Sequence, residues 1–146
     1  MSAAATLDPG DAPGAPNPTR APSRAWGVFT SVLTAAIFLQ AVTAGRLLSG
    51  DDWARDAHHA GAGLTFLAAL VGAVVAGVRL RGVDAGRRLA LLLAVLGVAL
   101  LVQFGLGSAS ADGRDTLWIH VPLGVAIVGL AGQVASHARR LATVPA

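Results

Sequence analysis

The chain has 146 residues, of which 54% are hydrophobic and only 13% charged, with a mean hydropathy of +0.64; a soluble domain carries about 25% charged residues. That balance excludes an ordinary water-soluble domain and points to a membrane protein. The net charge of +3 and pI of 11.3 come from eleven arginines against eight aspartates, with no lysine or glutamate. The arginines stand at the ends of apolar runs, so they read as topology signals and not as a nucleic-acid footprint.

Residues 1–25 are expected to form a disordered tail, because five of the seven prolines (Pro9, Pro13, Pro16, Pro18 and Pro22) lie there among Ala, Gly, Asp and Ser. A cleaved signal peptide is the competing reading, since Val42-Thr43-Ala44 resembles a small-residue cleavage site. The proline-rich acidic leader and the long apolar run from Trp26 to Ala44 argue against it. Four apolar segments follow, at about 26–48, 57–79, 88–107 and 117–136. Each approaches the ~20 residues a helix needs to cross ~30 Å of hydrocarbon, where backbone groups must be satisfied within the segment. The expected fold is therefore an all-α integral membrane bundle over 26–138, built from two helix hairpins and followed by a short basic tail at 139–146.

Asp51 or Asp52 is a candidate N-cap for the second helix and Asp115 or Thr116 for the fourth, with Pro122 in or near the fourth helix's first turn. Eight of the eleven arginines (Arg20, Arg24, Arg79, Arg81, Arg87, Arg88, Arg139, Arg140) fall on one side. The other side carries Arg46, Arg55 and Arg114 with five aspartates. The positive-inside rule then places both termini in the cytoplasm, in the cell membrane, with the first and third turns facing outward.

The two outward hairpins repeat one order of residues. Gln40, an Asp-containing turn, Trp53, His59 and Gly63 are matched by Gln103, a second such turn, Trp118, His120 and Gly124. By rise per residue the two glutamines and two histidines share one depth, roughly 5–12 Å below the outer surface. Small residues such as Gly61, Ala69, Gly72, Ala73, Gly77 and Gly129 permit close helix approach. Neutral imidazoles on facing helices are suited to be the two axial ligands of a haem iron, and a glycine at i+4 leaves room for a flat macrocycle. His59 and His120 are therefore the candidate ligands of a b-type haem, with Gly63 and Gly124 beside it and Gln40 and Gln103 orienting the ligands or bonding across the bundle. Arg46, Arg55 or Arg114 would meet the propionates.

The plainer readings stand beside these. A histidine near a membrane interface is often only an interfacial polar residue, although intramembrane polar groups tend to be functional. His58 has Ala62 at i+4 and lies about 100° around the helix from His59, so it is read as an interfacial polar residue. Trp53 and Trp118 read as interface anchors, and His137, beside Arg139 and Arg140, as solvated.

Over about residues 26–136, the Gln-bearing helix, outward turn, His near the next helix start and following Gly resemble one four-helix half of the haem A synthase family. The chain also resembles small four-helix bacterial membrane proteins. The first resemblance implies His59 and His120 as haem ligands. The family's outward catalytic glutamate and the cysteine pair of many members have no counterpart here, so no catalytic residue is assigned. At half the family's length, a homodimer would be needed to rebuild an eight-helix unit. The expected function is haem-based electron transfer or haem handling, with a membrane redox partner. The alternatives are a cofactor-free membrane subunit whose polar layer specifies helix packing and, more weakly supported, a transporter, since broken half-helices and a charged midplane are lacking.

Overall fold

The computed structural model describes residues 24–141. They form α1 (Arg24–Leu48), α2 (Trp53–Arg79), α3 (Asp84–Ala111) and α4 (Leu117–Leu141), joined by short turns. All four are long and apolar enough to cross a membrane. The helices overrun the apolar segments: α2 starts at Trp53, α3 runs from Asp84 to Ala111, and α4 continues through Arg139 and Arg140. Hydrophobicity marks only the part of a helix that sits in hydrocarbon, while the backbone ladder continues into the polar interface. Most of the proline-rich tail (1–23) and the last five residues (142–146) lie outside the described residues.

Neighbouring helices run antiparallel around a square. α1 packs on α2 and α4, and α3 packs on α2 and α4, so α1 faces α3 and α2 faces α4 across the diagonals. The core is a set of seams with three- and four-residue spacing: Leu89, Leu93, Leu96 and Leu100 on α3, opposite the small residues Ala69, Gly72, Ala73 and Ala76 on α2. Large side chains on one helix set against small ones on the next let the backbones approach closely, which is how helices associate where no water drives them together. Gly72 illustrates the tightness, since a methyl group built there would lie 2.7 Å from Phe29 Cε1. The outer faces are themselves apolar, with Val28, Leu64, Leu91 and Val125 all exposed, as suits side chains that meet lipid.

Two turns, α1–α2 and α3–α4, lie at one end of the bundle, hereafter the paired-turn end. Each carries one glycine in the left-handed region, Gly50 at φ 94° and Gly113 at φ 84°. The candidate caps behave differently from expectation. Asp52 occupies the N-cap position of α2 but makes no side-chain cap bond, and Asp51 pairs with Arg46 at 2.7 Å. Thr116 sends its hydroxyl back to the Leu106 carbonyl of α3 at 2.8 Å, so it ties the turn down instead of capping α4. Pro122 is the sixth residue of α4, near its first turn, and its missing N–H leaves the Trp118 carbonyl without its helical donor.

Candidate functional site

The site lies between the helices at the paired-turn end, in a cavity of about 920 Å³ with walls from all four helices. Cavities of ~300–1,000 Å³ are those that hold drug-sized ligands. The lining is largely apolar, with Ile37, Leu100, Phe104 and Ile127 among its walls. Every helix contributes a polar group to it, Gln40 from α1, His58 from α2, Gln103 from α3 and His120 from α4, and α2 adds His59, Thr65 and Arg55 to the lining.

Each histidine is set by the glutamine of its own hairpin. His58 Nδ1 lies 3.1 Å from the Gln40 carbonyl oxygen, and His120 Nδ1 lies 3.1 Å from the Gln103 carbonyl oxygen. A carbonyl can only accept, so in both rings Nδ1 carries the proton and Nε2 keeps its lone pair. Gln103 Nε2 returns a bond to the His120 carbonyl at 2.9 Å, which closes a reciprocal clamp in the second hairpin. In the first, Thr43 supplies the extra link. Its hydroxyl donates to the Gln40 carbonyl at 3.1 Å and its oxygen lies 3.1 Å from His58 Nδ1, placed to accept from it. The two imidazoles meet across the α2–α4 diagonal with ring centroids 6.5 Å apart and planes at 70°.

Glycines make room for this layer. A methyl built at Gly107 would lie 2.9 Å from His120 Cε1, and one at Gly124 would lie 3.1 Å from Gln103 Nε2. One at Gly61 would run into the Gln40 amide. The side-chain oxygens of Gln40 and Gln103 are buried and have no hydrogen-bond partner.

The structure therefore pairs His120 with His58, not with His59. His59 also lines the cavity but is exposed and lies against Phe104, 5.0 Å between centroids. A one-residue change of position turns a helix by 100°, and that rotation separates the two roles. Gly63 has nothing within 4 Å of where a Cβ would stand, so the close-approach glycine of the first hairpin is Gly61. Gly124 packs against the Gln103 amide, and Gln40 and Gln103 hydrogen-bond to the histidines of their own hairpins. Of the candidate arginines, Arg55 lines the cavity. Arg46 is engaged with Asp51, and Arg114 is exposed on the second turn. His137 is not simply solvated: its Nε2 lies 3.0 Å from the Ala85 carbonyl and links α4 to the start of α3. A sequence signal for His58 existed in the glutamine-to-histidine spacing, 18 residues to His58 against 17 in the second hairpin, a closer match than the spacing to His59.

Among the described residues no group of three or more His, Asp or Glu side chains converges as a metal site. The chain matches no family model, no curated protein and no solved structure.

Proposed function

We propose that this multi-pass membrane protein binds a b-type haem at the paired-turn end, with His58 and His120 as the two axial ligands, in order to transfer electrons or handle haem. The observation that carries the reading is the imidazole pair across the bundle, each Nδ1 committed to a backbone carbonyl and each Nε2 left free. Fixing the far ring nitrogen is how proteins orient a metal-bound histidine and raise its basicity. The separation fits as well. Two imidazoles sharing one metal ion at about 2.0–2.1 Å, as they do on zinc, would have ring centres roughly 6 Å apart, beside the 6.5 Å found between the rings.

In this reading Arg55 neutralises the propionates, being the arginine that lines the cavity. Gln103 and Gln40 orient the ligands through their carbonyls. The haem iron supplies reversible one-electron chemistry, and the chain holds and shields it. We also propose that both termini and the α2–α3 turn are cytoplasmic. Arg24, Arg79, Arg81, Arg87, Arg88, Arg139 and Arg140 gather at that end, and the aspartate-rich turns lie at the other. The site then opens near the outer face of the cell membrane, where a redox partner or a second copy of the chain would meet it.

The test is a reduced-minus-oxidised visible spectrum of the protein purified after expression with ample haem. The expected result is a Soret band with sharp reduced α and β bands, abolished by His58→Ala and by His120→Ala and kept by His59→Ala. Survival of the bis-imidazole spectrum in both of the first two variants sinks the assignment. A colourless, folded protein would favour the cofactor-free reading, in which the glutamine–histidine bonds serve helix packing at about 0.6 kcal/mol each.

A further inference from the structure

The cavity is walled unevenly. Its polar end is rimmed by Arg55, Ser108 and Asp112. One flank includes Phe38 and Leu48 of α1 and Leu117, Val121 and Val125 of α4, and these same side chains are between 44% and 71% exposed on the outside of the bundle. Side chains that both line a cavity and face outward mark the lips of an opening, here between α1 and α4. On the opposite flank, between α2 and α3, His59 also lines the cavity and is exposed, but its ring lies against Phe104 and Leu100 beside it is buried, so that flank is the more filled of the two.

Towards the termini the α1–α4 seam is shut. Thr34 donates to the Ala131 carbonyl at 3.0 Å, and Arg139 reaches Ser31 at 3.1 Å with its stem over Gly27. No turn joins α1 to α4, so no covalent link limits the gap. The lips are apolar and stand on helix faces that meet lipid, so the opening faces acyl chains and not water.

We infer that the ligand enters and leaves sideways, through the α1–α4 gap, from the membrane leaflet on the paired-turn side. This rests on the haem reading, and it makes the haem an exchangeable guest passed through the lipid phase, not a sealed electron carrier. The ligand class is a flat apolar amphiphile with carboxylates at one edge. Its body passes between Phe38 and Val125 while its carboxylates stay level with Arg55 at the polar rim, so no charge has to cross the hydrocarbon.

The chain has no cysteine, which gives a clean test. In the Phe38→Cys/Val125→Cys double variant, reconstituted in nanodiscs, a short bismaleimide ties the two lips together. Uptake from phosphatidylcholine vesicles carrying haemin is followed by the Soret band. Cross-linking should slow uptake and release at least tenfold relative to the same double variant carrying two monomaleimide caps, which matches the added bulk without tying the lips together. Unaltered protein provides a second measurement: at fixed total haemin, the uptake rate should follow the concentration in the membrane as lipid is varied. Cross-linked protein that loads at the free rate, or uptake that follows aqueous haemin, overturns the lateral route and leaves the haem site standing. Unaltered protein that never acquires a Soret band removes the haem reading, and the route with it.

Discussion

Gly107→Ala is the sharpest probe of the imidazole layer, because it adds one methyl group at a place where the available space is known. That methyl would stand 2.9 Å from His120 Cε1 and 3.5 Å from Nδ1, whereas carbon atoms rest at about 3.5–4.0 Å. The ring has to retreat by roughly 0.6–1 Å to recover that spacing. Its Nδ1 bond to Gln103 is already 3.1 Å long, so such a shift takes it past the hydrogen-bond limit. Overpacking costs roughly 1–3 kcal/mol, and replacing glycine by alanine inside a helix returns about 1 kcal/mol. The haem-free protein should therefore lose no more than about 2 kcal/mol. Loss of the outer partner of a metal-bound histidine typically weakens binding about 10–100-fold, and that is the expected fall in haem affinity, read by Soret titration beside a thermal unfolding curve. Gly105→Ala, where nothing lies within 4 Å, is the matched control and should bind normally. Equal haem affinity in the Gly107 and Gly105 variants would refute the account of how His120 is seated.

Other substitutions separate the layer from its surroundings. Gly63→Ala should leave haem affinity unchanged, because its methyl meets nothing within 4 Å, whereas Gly61→Ala should displace Gln40 and lower it in the same titration. Thr116→Val removes the 2.8 Å bond to Leu106 and should cost about 1 kcal/mol in detergent unfolding, with the spectrum retained. Thr43→Val takes away the second partner of His58 and should weaken haem binding less than His58→Ala does, leaving a bis-imidazole spectrum. Gly72→Leu drives a side chain into Phe29 and should destabilise the bundle by roughly 1–3 kcal/mol or more, measurable as a lowered unfolding midpoint.

Four helices were legible in the sequence because runs of apolar residues long enough to span hydrocarbon allow little else. Their ends were not, because Trp53, Asp84, Arg139 and Arg140 are polar or interfacial residues that continue a helix without continuing the hydrophobic run. The layer itself was visible as a repeated Gln and His at one depth. Its phase was not: whether His58 or His59 turns inward depends on how many residues the α1–α2 turn consumes, and a single residue rotates the answer by 100°. The glycines depend on the same phase: Gly61 and not Gly63 packs against Gln40, and Gly107, which packs against His120, precedes that histidine in the chain. Arg46 and Arg55 could not be ranked without knowing that Asp51 lies 2.7 Å from the former.

The glutamine–histidine clamps join residues of a single hairpin and never cross from one hairpin to the other. Membrane helices insert first and assemble afterwards, so each imidazole acquires its proton placement and its aim as soon as its own pair of helices is in the bilayer. What assembly adds is only the distance between the two rings. An orphaned hairpin would be a correctly formed half-site with nothing to oppose it, and quality control of the finished protein reduces to whether two prefabricated halves have met.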